Sequence, residues 1–255
     1  MKILFWLGAV SLVTMLGCTS ELQTWQTESC QSEYDRRTRQ EPVTTHAGLN
    51  RVLKSFEARK AAHLDPEYQR YAGLRGKHWK TYKNRSFYVV KADDQFKFLV
   101  GRFRVRDFLP HKSGHTPDRY FERAQEQACL VGSPAPEQYL LMDAAILHKF
   151  LDLIEILKTQ NYDHRALEIY HGFRAPKHNH KVGGADKSQH LWGKAIDFRV
   201  KDINRDGRAD MTDKKIVLGI LEKTVIGNGG GIGRYLDTPT SIHMDVRGWK
   251  ARWDR

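Results

Sequence analysis

From Lys194 to Val200 the chain reads Lys-Ala-Ile-Asp-Phe-Arg-Val, an alternation that suits an extended strand. Ile196, Phe198 and Val200 share one face, and Ala195, Asp197 and Arg199 share the other. Just upstream, Ser188-Gln-His-Leu-Trp-Gly193 sets His190 seven residues before Asp197, with Gly193 between them. Near the C-terminus, Ser241-Ile-His-Met-Asp245 holds His243 and Asp245 on one face of a second short strand. Two such strands laid side by side would bring His190, Asp197 and His243 to one sheet face. Two imidazoles and one carboxylate leave an open fourth position on tetrahedral Zn²⁺, which is the hydrolytic arrangement. A lone His is more often structural than a ligand, but an ordered set of three is better read as a metal centre. Bound zinc acidifies its water and polarises a scissile carbonyl, and a group within hydrogen-bonding reach must take the proton. Asp245 is the candidate for that base. The residues leave open whether it is base, orienter of His243 or ligand. Gly193 fits a place where backbone passes close to metal or substrate.

A second constellation follows: Asp202-Ile-Asn-Arg-Asp-Gly-Arg-Ala-Asp-Met-Thr-Asp213. It has the spacing of an EF-hand loop, with side-chain oxygens from Asp202, Asn204, Asp206, Asp210 and Asp213 and the backbone carbonyl of Arg208. Gly207 stands at the sharp turn, Asp213 replaces the usual Glu, and an apolar helical run, Ile216–Val225, follows. The expectation is a structural Ca²⁺ that fixes the loop leaving the Asp197 strand; the alternative is an Asp/Asn-rich surface turn. Gly227-Asn-Gly-Gly-Gly-Ile-Gly233 lacks the Lys-Ser/Thr of a P-loop and reads as a tight connection into the final strand.

Elsewhere, Leu49, Val52, Leu53, Phe56 and Ala61 recur at helical spacing, which predicts a basic amphipathic helix from His46 to about Tyr71. Phe87–Val90 and Phe96–Val100 are β-favouring runs, the second continued by Phe103–Phe108. Loop signals at 113–117 and 132–136 bracket a helix at 118–130. The widest apolar stripe, Leu140 to Leu157, predicts a helix over Glu137–Lys158. Leu167–Tyr170 is a strand, and a His-rich loop with His171, His178 and His180 follows, its imidazoles read as solvated. This order is α+β.

The 255 residues carry a formal net charge of +12, with basic residues spread along the chain. That balance favours an anionic partner. No P-loop, zinc-finger spacing or RNA-binding signature accompanies it, so no nucleic-acid partner is expected. Met1-Lys2 and the apolar run Ile3–Leu16, too short to favour a spanning helix, lead to Met15-Leu-Gly-Cys18, which resembles a bacterial lipobox. The resemblance implies a signal peptide over 1–17, lipidation of Cys18 and, with Thr19 next, an outer-membrane anchor facing the periplasm. Residues 18–45, polar and poor in apolar side chains, read as a tether. Cys30 and Cys129 would then be either one disulfide or two thiols.

Gly172-Phe-Arg-Ala-Pro176, Ser188-x-His-x-x-Gly-x-Ala-x-Asp197 and His243-x-Asp245, in this order, resemble the M15-type zinc peptidases. These include D-alanyl-D-alanine peptidases and murein endopeptidases, with a fold shared by the Hedgehog signalling domain. The resemblance implies a small antiparallel sheet flanked by helices over 98–255, preceded by an N-terminal helical extension over 46–97. It implies Zn²⁺ on His190, Asp197 and His243, and an Arg174 that holds a substrate carboxylate or carbonyl. The implied activity is hydrolysis of peptide cross-links, or of terminal residues, in peptidoglycan. Many members carry Glu three residues before the last His, where this chain has Thr240; the His-x-Asp form resembles the murein-endopeptidase branch. The rival reading is a non-catalytic wall-binding or assembly lipoprotein that keeps its metal for structure.

Overall fold

The computed structural model describes residues 35–36, 39–91, 93–109 and 137–254. The signal peptide, Cys18, Cys30, Cys129, the 113–117 and 132–136 loop signals and the 118–130 helix lie outside the described residues. Of the expected tether, its last residues already belong to the folded unit that runs from Gln40. Val43 is buried there and exchanges both backbone hydrogen bonds with Gly101, at 3.0 and 2.7 Å.

The helix expected over 46–71 is broken in two. α1, His46–Lys54, starts from Thr45, whose hydroxyl accepts Gly48 N–H at 3.0 Å, and buries Leu49 and Leu53. The chain then forms a strand, β1 (Ala58–Lys60), before α2 (Pro66–Ala72) begins. Asp65 caps α2 through the N–H groups of Glu67 and Tyr68, with Pro66 in the first turn. A residue before proline is pushed out of the helical region, so Asp65-Pro66 is a start and not an interior. After the single turn α3 (Trp79–Tyr82), β2 (Ser86–Val90) pairs antiparallel with β1. β3 (Phe98–Val100) and β4 (Phe103–Arg104) form a separate short hairpin, and Val105–Phe108 is a 3₁₀ turn where continued strand was expected.

The long helix also begins later than its apolar stripe suggests. Gln138–Leu140 is a strand, β5, paired to β2 with Tyr88 opposite Leu140. The helix, α4, spans Ala144–Thr159 and starts at Asp143, whose carboxylate accepts Ala145 N–H at 2.9 Å. An apolar run at helical spacing is equally satisfied by a buried strand; here pairing with β2 takes the first residues and the Asp143 cap starts the helix.

The remaining chain builds the sheet that carries the ligand candidates. Its strands are β6 (Leu167–His171), β7 (Ala195–Val200), β8 (Gly231–Gly233), β9 (Ser241–Asp245) and β10 (Ala251–Trp253), in the order β10-β8-β9-β7-β6. Pairing is antiparallel except at the β10–β8 edge, which is parallel. The expected α+β fold, small antiparallel sheets flanked by helices, is the one found. Ile196, Phe198 and Val200 turn their face of β7 to the core, where Phe198 and Phe150 of α4 meet edge to face at 5.5 Å. Burying these chains supplies the attraction that presses α4 on the sheet. The opposite face of β7 is left to Asp197. The His-rich segment is in part a helix, α5 (Pro176–Lys181), with Pro176 in its first turn, and not a loop. The helix expected over Ile216–Val225 begins earlier, as α6 (Met211–Ile220), and is continued by a wider turn over Leu221–Val225.

Candidate metal centre

Strand register brings the site together. Asp197 of β7 is directly opposite His243 of β9, and Ala195 is opposite Asp245. His190 arrives from the turn ahead of β7, a 3₁₀ segment (Gln189–Trp192) that ends at Gly193 with φ of 65°. This turn rests on the β5–α4 connection: Gly193 C=O accepts Asp143 N–H at 2.9 Å. A Cβ on Gly193 would sit 2.2 Å from Leu141 O, so only glycine allows both this φ and this approach. The Tyr82 hydroxyl donates to Leu191 O at 2.7 Å and pins the same turn from the other side.

Three ligand atoms converge. Asp197 Oδ1 lies 3.0 Å from His190 Nε2 and 2.7 Å from His243 Nδ1, and the two imidazole nitrogens are 3.1 Å apart. Metal–ligand bonds of about 2.0–2.1 Å require tetrahedral edges of about 3.3 Å, so a slight opening of this triangle fits Zn²⁺. The outer nitrogens are occupied in the manner of ligating histidines. His190 Nδ1–H donates to Gly172 O at 2.6 Å, and His243 Nε2–H donates to Asp245 Oδ2 at 3.0 Å. Those bonds leave His190 Nε2 and His243 Nδ1 as the two ring atoms that face Asp197. All three residues are buried, and among the described residues this is the one group of three His, Cys, Asp or Glu with ligand atoms within 4.8 Å of one another.

The electrostatics follow from burial and charge. Burial, first, pushes the His190 imidazole down to about 4, against the pull of Asp197, so it is neutral at pH 7. Burial alone would raise Asp197, but its electrostatic attraction to the His190 ring and the hydrogen bonds of His171, His190 and His243 outweigh it and hold the carboxylate well below its ordinary value. For His243, burial acts downward, yet hydrogen bonds to Asp197 and Asp245 dominate and raise it. The proton that these hydrogen bonds favour on His243 must leave when Nδ1 takes a metal. Metal affinity should therefore rise with pH while His243 still holds that proton and level off once it is neutral, binding below that point releasing a proton. Calorimetry in buffers of different ionisation enthalpy reads that release directly; the same heat in every buffer would count against it.

Asp245 stands behind His243, away from the triangle. It is wholly buried, and its two oxygens accept Gly231 N–H at 2.9 Å, Arg247 N–H at 3.1 Å and the Arg247 side chain at 2.9 and 2.6 Å, besides His243. Gly231 must be glycine here, since a Cβ would lie 2.4 Å from Asp245 Oδ2. The glycine run is thus not merely a connection: it becomes β8 itself, shaped to admit the Asp245 side chain.

Arg174 folds its guanidinium onto Asp197 Oδ2 and lies 2.9 Å from His171 Nδ1. His171, read from sequence as solvated, is instead 3.2 Å from Asp197 Oδ2. A bulge between Ile169 and His171 brings it opposite Asp197. Its only sequence signal was its place at the end of a strand. Arg247 was also missed, and nothing in its spacing could have found it. His178 remains 6.0 Å, ring to ring, from His171.

The 202–213 loop is ordered by its own amides. Asp202 accepts Asp206 and Gly207 N–H groups, and Asn204 accepts that of Asp206. Asp213, expected as the last calcium ligand, is fully buried and accepts Ile203 N–H at 2.8 Å, Asn204 N–H at 3.1 Å and Asp210 N–H at 3.0 Å. Asp210 in return caps α6 at Thr212 N–H, so the pair forms a capping box. Arg208 donates its N–H to Asp206 Oδ1 at 3.0 Å. Among the described residues, these carboxylates do not form a second group like that of His190, Asp197 and His243.

Residues 128–237 match the family model described as Peptidase M15. The match includes Arg174, His190, Asp197 and the 202–213 loop and ends before His243 and Asp245. A search of curated proteins finds no match, and neither does a search of solved structures.

Proposed function

We propose that this chain, a peptidase of the M15 family by its residues 128–237, is a zinc-dependent hydrolase of peptidoglycan peptides. The family is zinc-dependent in general, and the observation that carries the reading is the buried triangle of His190 Nε2, Asp197 Oδ1 and His243 Nδ1. A bound Zn²⁺ would supply Lewis acidity toward water and toward the scissile carbonyl. The chain's own residues hold and aim that centre. Gly172 O fixes the tautomer of His190, and Asp245, itself gripped by Arg247, fixes that of His243. A general base needs free reach and a proton affinity near the working pH. Asp245 has neither, because its oxygens are fully engaged and, against the effect of burial, the hydrogen bonds and then the charges of His243 and Arg247 hold it far down. Of the three roles open from sequence, Asp245 is assigned to orienting His243. Asp245→Asn should then lower zinc affinity about 10–100-fold and take activity with it, activity returning as zinc is added. Unchanged zinc affinity with lost activity would restore Asp245 as the base.

Arg174 is proposed to hold a substrate carboxylate or carbonyl, beside its contact with Asp197. A substrate of negative charge is supported by the stretch Arg75–Arg85, where Arg75, Lys77, Lys80, Lys83 and Arg85 meet no acidic residue in sequence. This stretch adjoins the metal-bearing turn: the Arg85 guanidinium lies 4.0 Å from the centre of the Trp192 ring. The bond cut is a cross-link or a terminal peptide bond. The lipid anchor at Cys18, the periplasmic face and the outer membrane complete the proposal. Digestion of purified sacculi, with and without chelator, tests it: new muropeptides should appear only with metal. Unchanged muropeptides under metal-replete conditions would instead favour the wall-binding reading. Ca²⁺ on the 202–213 loop is a separate proposal that rests on the EF-hand spacing of its oxygens alone; a calorimetric Ca²⁺ titration without heat removes it.

A further inference from the structure

A second pair of histidines faces one another far from this chemistry in sequence, across the contact of α1 and α4. His46 is the first residue of α1, and His148 lies on α4. Their Nδ1 atoms are 2.7 Å apart, with ring centres 4.9 Å apart and planes inclined by 31°. The outer nitrogens are held in a reciprocal pattern. His46 Nε2 meets Asp152 Oδ1 at 3.1 Å, and Asp152 is one helical turn beyond His148. His148 Nε2 meets Asn50 Oδ1 at 3.1 Å, and Asn50 is one turn beyond His46.

Both outer partners are acceptors, so both Nε2 atoms carry hydrogen. With neutral rings, two Nδ1 lone pairs would then oppose each other at 2.7 Å, an arrangement that repels unless a cation sits between them. Ligating histidines show this organisation: one nitrogen toward the ion, the other N–H given to a carboxylate or amide oxygen. The His46 side chain is 55% exposed, so an ion and its waters have a path in. Imidazole pairs suit Zn²⁺, Cu²⁺ and Ni²⁺, and opening the gap to about 3.3 Å would admit a tetrahedral ion.

We propose that His46 and His148 form a second transition-metal site, completed by water and backed by Asp152 and Asn50, which clasps α1 to α4. The site is independent of the peptidase centre. Purified full-length chain, stripped by chelator, is titrated with Zn²⁺ alone by calorimetry. Two equivalents are expected for the natural chain and one for His148→Ala, whose peptidase activity stays unchanged. His46→Ala should behave alike, and the zinc-dependent rise in the unfolding temperature should shrink in both variants. One equivalent in the natural chain, or two that survive both substitutions, overturns the site. No uptake at these residues overturns it as well.

Discussion

Asp197→Ala should remove bound zinc and reduce peptidase activity by about 10³-fold or more. The magnitude follows from losing several kcal/mol of transition-state stabilisation at 1.36 kcal/mol per tenfold. Asp197 has two separate duties. Oδ1 faces both imidazoles, while Oδ2 takes Arg174 and His171. Its removal therefore also leaves the Arg174 charge nearly buried without its partner, which costs about 3–5 kcal/mol in such settings. Loss of activity could then reflect unfolding, so Asp197→Asn is the companion variant. It keeps the size of the side chain but makes a poor ligand, and it should retain a cooperative unfolding transition while still losing zinc. Zinc content by atomic absorption and the thermal transition separate the two effects. Wild-type zinc content and activity in either variant would remove Asp197 from the centre.

Gly193→Ala should be the most damaging small substitution outside the ligands. Its φ of 65° costs an L-residue about 1–2 kcal/mol. The added Cβ would also lie 2.2 Å from Leu141 O and 2.9 Å from Met142 Cα, and backbone cannot rotate away as a side chain can. Overpacking of this kind costs about 1–3 kcal/mol, so the total is about 2–5 kcal/mol, or a fall of roughly 5–20 °C in the melting temperature. Because Gly193 closes the turn that carries His190, zinc affinity should drop as well. Gly207→Ala is the control: its φ is 85°, but a Cβ there meets nothing within 4 Å. It should cost only the backbone term. Equal losses for the two variants would show that the contact with Leu141 is unimportant.

Periodicity misplaces several element bounds in this chain. The stripe from Leu140 to Leu157 is real, but its first residues serve β5, because β2 offers them a partner. The 46–71 stripe hid the Asp65-Pro66 start, which was visible in the sequence and was outweighed by periodicity. His171 was set aside as a solvated imidazole, since a bulge is a property of two strands and not of one. The 202–213 spacing, likewise, records which oxygens are present, and the structure adds which amides they meet.

What the sequence determined by itself was therefore local: the alternation of Lys194–Val200, the His190–Gly193–Asp197 spacing, and the His243-x-Asp245 pair on one face. A period of two fixes which side chains share a face, whatever the strand pairs with. Only the tertiary structure decided that Asp197 stands opposite His243, that Arg247 saturates Asp245, and that Tyr82 and Leu141 brace the turn bearing His190. Those contacts join residues far apart in the chain, and their register is set by burial of both strand faces and by the packing of α4. The ligands were legible because chemistry needs particular side chains; their supports were not, because a support is whatever residue the fold brings within reach.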